Sequence, residues 1–191
     1  MTLTQYNTAV SIDGFIADEH GSLDWLFQVP ADGRSSFKGF MADVGPMVMG
    51  ATTYQWVLDH EHVLDEPEKW TAWYDDRPTW VFTHRDLPAV PGADIRFVQG
   101  DVRPVHAAMV KAAGSRNIWL VGGGELVGRF ADHGLLDEII LGIAPVTLGA
   151  GAPVLPRRFT GSTLTLAGVQ AINDAFVEVR YRVHHDGPAS T

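Results

Sequence analysis

Apolar residues follow two different periods along this chain, and the two alternate over its first two thirds. Short β-branched or aromatic runs predict strands at 6–17 (with a turn or bulge at Ser11-Ile12-Asp13-Gly14), 46–50, 79–83, 95–98 and 117–121. Spacings of three and four residues predict helices at 37–41, 52–58, 70–73, 105–113 and 125–133. Strands then follow one another at 136–146, 164–166 and 175–183, the last two as a hairpin turning near Asn173-Asp174. The pattern predicts one mixed sheet covered by helices on both faces.

Length and composition narrow the class of protein. With 191 residues, we expect a single domain over 1–184 and a flexible tail over 185–191. The net charge of −9 argues against binding to a nucleic acid backbone, which needs clustered Lys and Arg. The absence of cysteine excludes disulfides, thiol nucleophiles and thiolate zinc sites.

The chain carries no sign of a membrane or secretion segment. Its first residues, 1–6, lack the basic and apolar regions of a signal peptide, and no apolar run approaches the ~20 residues that span a bilayer. We therefore expect a cytoplasmic protein that has no membrane partner.

A triple glycine, Gly122-Gly123-Gly124, ends the predicted strand 117–121 and begins the next predicted helix. Glycine has no Cβ and permits positive φ, so a pyrophosphate can approach this backbone, and the helix start offers it unpaired N–H groups. The alternative is a tight strand-to-helix turn without a ligand. The segment is not a Rossmann fingerprint, because Val127 stands where G-x-G-x-x-G needs glycine, and no Gly-Lys-Ser/Thr follows as in a Walker A motif.

Four segments in a fixed order carry a family resemblance: AVSIDGFIA (9–17), VMGATTY (48–54), WVFTHR (80–85) and LVGGGEL (120–126). With them the chain resembles the dihydrofolate reductase superfamily. The nearer branch includes the C-terminal reductase domain of the riboflavin-biosynthesis deaminase/reductase, of which S-x-D-G and the run 142–151 are typical. The resemblance implies an α/β, three-layer α-β-α fold whose mixed, mostly parallel central sheet ends in a C-terminal antiparallel hairpin.

The resemblance also implies NADPH as the cofactor. Backbone groups of Ala9 and Ile16 would hold the nicotinamide carboxamide. The helix start after Gly50, where Thr52 or Thr53 would be the N-cap, would bind phosphate. The cation of Arg85 suits a 2′-phosphate and favours NADPH over NADH, whereas Ala51 stands where many relatives have an arginine. The predicted cofactor-binding residues are Ala9, Ile16, Gly50, Thr52, Thr53, Thr83, His84, Arg85, Val121, Gly122, Gly123, Gly124, Glu125 and Leu126.

Hydride transfer also needs a proton, delivered by an acid or by water. Asp13 and Asp32 are the candidate catalytic acids. The segment Pro30-Ala31-Asp32 resembles the one whose acid binds the pterin in dihydrofolate reductase, although an Asp before a helix is also a typical N-cap. Asp13 lies beside Gly14, where turn formation alone would explain it.

Together these observations predict an NADPH-dependent reductase of a small heterocyclic substrate. The resemblance points to the type of 5-amino-6-(5-phosphoribosylamino)uracil reductase or of dihydrofolate reductase, without the zinc-deaminase motifs H-x-E and P-C-x-x-C. The alternatives are a non-catalytic NADPH-binding module and a purely structural α/β domain. We expect no metal, because His60-Glu61-His62 lacks a third ligand, and relatives in the riboflavin branch imply a homodimer.

Overall fold

Ten strands and six helices form the described part of the computed structural model, which comprises residues 1–30, 36–160, 163–172 and 174–185. The strands are β1 (Thr4–Ser11), β2 (Phe15–Ala17), β3 (Val44–Gly50), β4 (Thr79–Phe82), β5 (Ile95–Val98), β6 (Asn117–Gly122), β7 (Glu138–Ala144), β8 (Ala152–Pro153), β9 (Leu164–Ala171) and β10 (Val177–Val183). The helices are α1 (Asp24–Phe27), α2 (Phe37–Ala42), α3 (Ala51–Glu61), α4 (Glu68–Tyr74), α5 (Val102–Ala113) and α6 (Gly124–Asp132).

Eight of the strands form one sheet in the order β5-β4-β3-β6-β1-β7-β10-β9. The six strands from β5 to β7 are parallel to one another, and β10 and β9 complete the sheet in antiparallel fashion. This arrangement confirms the predicted α/β fold, with its mostly parallel sheet and C-terminal antiparallel hairpin. The two short strands β2 and β8 pair with each other outside the large sheet.

Alternation along β3 distributes apolar side chains to both faces of the sheet. Val48 packs in the core that α5 and α6 cover, whereas its neighbours Met47 and Met49 pack in the core that α3 and α4 cover. All three are fully buried. The two cores explain why the central strands read as continuous apolar runs, since each strand is covered on both faces.

Two elements lie outside the sequence prediction, and one predicted cap is wrong. The four-residue α1 and the two-residue β8 were not predicted, because neither is long enough to display a period. Gly50, rather than Thr52 or Thr53, is the N-cap of α3, and no side chain caps this helix. The helix begins directly after β3, so both threonines lie within its first turn.

The hairpin of β9 and β10 agrees with the prediction, although Asn173 of the predicted turn lies outside the described residues. Within the described ranges, no helix combines the length and the apolarity needed to cross a bilayer.

Candidate functional site

The carboxyl ends of neighbouring parallel strands bring the predicted segments to one edge of the sheet. Met49 pairs with Gly122, and Gly50 pairs with Phe82, so the ends of β6, β3 and β4 lie side by side. A Cβ on Gly50 would lie 3.8 Å from the Gly122 carbonyl oxygen. Ligands of open α/β sheets bind at this edge, and a cleft opens here.

The three glycines of the turn differ in what their surroundings require. Gly122 has φ +147°, a conformation that side chains rarely adopt, and the peptide bond to Gly123 is cis. A Cβ on Gly124 would lie 2.4 Å from the carbonyl oxygen of Pro153, so the close packing of this segment demands glycine. Gly123 has an ordinary φ of −78°, and a Cβ there would meet only the Ile16 Cδ1 atom at 4.0 Å.

Two helices begin at this cleft without side-chain caps. Gly50 is the N-cap of α3 and Gly123 is the N-cap of α6, and neither helix start receives a side-chain hydrogen bond. The first N–H groups of a helix need acceptors, and together with the helix dipole they favour an anion. The Thr53 hydroxyl oxygen lies 3.7 Å from the position of a Cβ on Gly122, so this hydroxyl in the first turn of α3 lies close to the residue that precedes the N-cap of α6.

A cavity of about 650 Å³ lies between these helix starts and the loop formed by β2 and β8. Ten of the predicted cofactor-binding residues line it: Ile16, Gly50, Thr52, Thr53, Val121, Gly122, Gly123, Gly124, Glu125 and Leu126. The remaining wall includes Ala51, noted above for the missing arginine, and eight residues that the sequence did not indicate as site residues: Thr8, Ala17, Gly21, Leu23, Trp56, Ala152, Pro153 and Pro156. The structure thus brings together three of the four segments that carry the family resemblance (9–17, 48–54 and 120–126). Residues of 21–23 and 152–156 add an apolar wall.

Four predicted residues lie beside the cavity instead of lining it. Ala9 lies on β1, opposite Gly142, and packs with the core around Trp25. The Thr83 hydroxyl is used locally, since it accepts the Arg85 N–H at 2.9 Å and donates to the Arg85 carbonyl at 3.1 Å. His84 and Arg85 are exposed in the same turn after β4, one strand beyond Gly50.

Glu125 is the only charged residue among the described residues that line the cavity. Its carboxylate accepts two hydrogen bonds from the Arg157 guanidinium, at 2.9 and 2.7 Å. Those hydrogen bonds lower the pKa of Glu125 and raise the pKa of Arg157, so both groups are charged at neutral pH. The phosphate-binding cation expected near Ala51 has no replacement in the described lining.

The Asp13 carboxylate is engaged in holding a loop. It accepts hydrogen bonds from the Ser11 hydroxyl at 2.6 Å, from Gly149 N at 2.7 Å and from Leu148 N at 3.1 Å. The Ser11 hydroxyl, followed by the backbone N–H of Gly149, lowers the pKa of Asp13. A carboxylate stabilised in this way is poorly suited to donate a proton at neutral pH, and the other candidate, Asp32, lies outside the described residues.

His60, considered above for a metal, stacks on aromatic rings instead. Its ring centroid lies 4.4 Å from that of Trp56 and 4.9 Å from that of Phe27, with nearly parallel planes. The stack joins α1 to α3 at the wall of the cavity to which Trp56 belongs. Among the described residues, no group of three or more His, Asp or Glu is arranged to hold a metal ion.

Known proteins share both the sequence pattern and the fold. The pattern of the RibD C-terminal domain family matches residues 52–177. An uncharacterized Bacillus subtilis protein, YwjB, is 32% identical over 173 residues, which cover 91% of this chain and 93% of that protein. A putative riboflavin biosynthesis protein from Shewanella sp. PV-4 superposes with a TM-score of 0.78 at 24% identity, covering 96% of this chain and 99% of that one.

A dihydrofolate reductase also has this fold. The enzyme from Enterococcus faecalis, in complex with NADP(H), superposes with a TM-score of 0.58 at 13% identity, over 96% of this chain and 97% of its own. The family match spans more than half of the chain and includes the segments around Thr53, Thr83–Arg85 and Gly122–Gly124. The chain therefore belongs to the RibD C-terminal domain family and has the dihydrofolate reductase-like fold.

Proposed function

We propose that this protein is an NADPH-dependent reductase of a small heterocyclic substrate. The observation that carries the proposal is the cavity of about 650 Å³, on which two uncapped helix N-termini and the bare backbone of Gly123 converge. A dinucleotide needs this combination, because its phosphates bind N–H groups and its flat rings need narrow, apolar space. Membership of the RibD C-terminal domain family supports the same function, as does the NADP(H) bound to the related E. faecalis fold.

The residues of the cleft fit both the phosphates and the flat rings of such a cofactor. The N–H groups at the starts of α3 and α6, with the Thr53 hydroxyl, would bind phosphate, and the exposed Arg85 would meet a 2′-phosphate. Beside these helix starts, Ile16, Leu23 and Trp56 give the cavity an apolar wall, which would exclude water from bound rings. When bound, NADPH supplies the hydride, and the cleft aligns it with the substrate.

The proton in this proposal comes from water. Of the described residues that line the cavity, only Glu125 carries a carboxylate, and Arg157 holds it. Thr8, Thr52 and Thr53 offer hydroxyl groups that can orient a water molecule. Turnover assays with a ribosylaminopyrimidine and with a pterin would identify the heterocycle.

Titration with NADPH, followed by tryptophan fluorescence, tests the proposal directly. Trp56 lines the cavity, so a bound nicotinamide should quench its emission, with a saturable curve and a dissociation constant in the micromolar range (~1–100 μM). Trp56→Phe should lose most of the quenching and still bind NADPH in a calorimetric titration. No saturation by either method would contradict the proposal.

Arg85 should set the preference for NADPH over NADH. Removing its guanidinium in Arg85→Ala should raise the KM for NADPH by about tenfold, because one charge-assisted contact with a 2′-phosphate is lost. The KM for NADH should stay within about twofold of the wild-type value, since NADH has no such phosphate. Equal effects on the two coenzymes would show that Arg85 does not read the 2′-phosphate.

A non-catalytic NADPH-binding module is the second candidate. The engagement of Asp13 by Ser11, Leu148 and Gly149 favours it, because that contact set leaves the described cleft without a free acid. Steady-state oxidation of NADPH with dihydrofolate and with the ribosylaminopyrimidine discriminates between the candidates. Tight binding without turnover on either would favour the module, whereas turnover of either would exclude it.

A further inference from the structure

The start of α6 presents an electrostatic conflict. Glu125 is the second residue of this helix and lies at the end proposed above to bind phosphate. A carboxylate in the first turn of a helix normally interacts with the free N–H groups and with the helix dipole. Here it would compete with a phosphate for the same groups and would repel it. The side chain needs to be directed elsewhere for this helix start to serve a dinucleotide.

Arg157 holds the Glu125 side chain away from the start of α6. The guanidinium binds both oxygens of Glu125, at 2.7 and 2.9 Å, and its Nε atom binds the two oxygens of Asp132 at 3.0 and 2.9 Å. Asp132 is the last residue of α6, so Arg157 lies along the helix, between its first and last turns. The Glu125 carboxylate is therefore drawn along the helix and away from its N-terminus.

The position of Arg157 is built into the packing of the helix. A Cβ on Gly128 would lie 2.7 Å from the Arg157 Cζ atom, so the guanidinium rests on the bare backbone of this residue. Gly124, one turn earlier, admits the carbonyl oxygens of Pro153 and Val154 in the same manner. Two glycines spaced by one turn thus receive the segment 153–157.

The segment that carries Arg157 is fixed at its other contacts. The Val154 carbonyl accepts a hydrogen bond from the buried Tyr6 hydroxyl at 2.9 Å, and the Val154 N–H donates to the Gly14 carbonyl at 2.9 Å. Its β8 portion also pairs with β2, which borders the cavity. Arg157 therefore projects from an anchored backbone, and its side chain is only 23% exposed.

We propose that Arg157 is a positioning residue of the cofactor site, which keeps the N-terminus of α6 open to phosphate by holding and neutralising the Glu125 carboxylate. This role rests on the proposed NADPH binding. Arg157 does not line the cavity, and it acts on the cofactor only through Glu125.

The dissociation constant for NADPH, measured for one single and one double variant, tests this role. Arg157→Ala should raise the constant about fivefold, because the released carboxylate opposes a phosphate at the helix start. In the double variant Arg157→Ala/Glu125→Gln the constant should return to within about twofold of the wild type, since the opposing charge is gone. Added KCl should reduce the defect of Arg157→Ala, because salt screens an exposed carboxylate.

Matched variants separate this role from a purely structural one. Arg157→Lys keeps a cation beside Glu125 and should bind NADPH nearly as well as the wild type, even if it melts at a lower temperature. Arg103→Ala removes an exposed ion pair with Asp101 on α5 and should leave the constant unchanged. Equal weakening in Arg157→Ala and in the double variant, or no weakening in either, would overturn the positioning role while leaving NADPH binding intact. Failure of the wild type to bind NADPH would overturn the proposed function and this role together.

Discussion

At the scale of single residues, two separate structural constraints explain two of the three glycines 122–124. Gly122 adopts a positive φ, and Gly124 leaves room for the carbonyl oxygens of Pro153 and Val154. Neither constraint applies to Gly123, because a Cβ added there would contact only Ile16. The bare surface at Gly123 faces the cavity, so its use is to be found in what the cavity binds.

A matched pair of alanine variants should separate these constraints. Gly124→Ala should lower the free energy of unfolding by about 1–3 kcal/mol, because its Cβ overpacks against the Pro153 carbonyl. Gly123→Ala should unfold within about 0.5 kcal/mol of the wild type and yet bind NADPH at least tenfold more weakly. Urea unfolding and NADPH titration measure the two effects. Unchanged binding in Gly123→Ala would remove this backbone from the proposed phosphate contacts.

Much of the site could be read from the sequence, because its segments are local. An apolar run that ends at three glycines predicts the strand and the turn of 120–126. The contacts of Asp13 and of Arg157 could not be read in this way. Leu148 and Gly149 lie about 135 residues from Asp13, and Glu125 lies 32 residues from Arg157, so no local pattern links the partners.

At the scale of secondary-structure elements, the period of apolar residues predicted the long strands and helices and failed for the short ones. Strand β8 has two residues, one of them Pro153, and proline is a poor signal for a strand. In α4, Trp70 is buried whereas Trp73 is exposed, although the two lie three residues apart. Spacing therefore identified the helix without ranking its two tryptophans.

The loop after β1 depends on the charge of Asp13. Because its pKa is lowered by folding, its contribution to stability is present above the unfolded pKa, near 3.8, and is lost as the pH falls through the lower folded pKa. Asp13→Asn should therefore be less stable than the wild type at pH 7, and the difference should shrink as the pH falls below about 4. Urea unfolding of both proteins at several pH values measures this.

An exposed aspartate elsewhere provides the control for Asp13. Asp86→Asn should leave the free energy of unfolding nearly unchanged at neutral pH, since the structure gives the side chain of Asp86 no hydrogen bond to another described residue. If Asp13 were instead the proton donor, Asp13→Asn would abolish turnover. That result would restore the catalytic role that its hydrogen bonds disfavour.

At the scale of the whole molecule, the edge of the sheet at β9 carries exposed apolar side chains, and we propose that a second copy binds there. The register of β9 against β10 shifts between Arg180 and Tyr181, which brings Leu166 and Val169 to the same face as Val177. Leu166 and Val169 are 55% and 59% exposed, and β9 is the last strand of the sheet in the described structure. Exposed apolar side chains beside an open strand edge are typical of an interface.

We expect the homodimer implied by the family resemblance to form through this surface. Sedimentation analysis at micromolar concentration should give twice the chain mass for the wild type and a single chain mass for Leu166→Lys/Val169→Lys. The same substitution at Val110, an exposed valine of α5, should leave the dimer intact. A monomeric wild type, or a dimer that survives the paired lysines, would contradict this assignment.

The charge around the cleft has a consequence for the rate at which a cofactor arrives. The chain carries a net charge of −9, and the described lining of the cavity contains Glu125 and no Lys or Arg. Under the proposed function, a polyanionic dinucleotide would diffuse toward this cleft against the long-range field, and its capture would depend on the short-range N–H groups at the two helix starts. Moderate salt would then accelerate encounter by screening the repulsion, the reverse of the slowing that salt causes when a basic surface steers an anion inward.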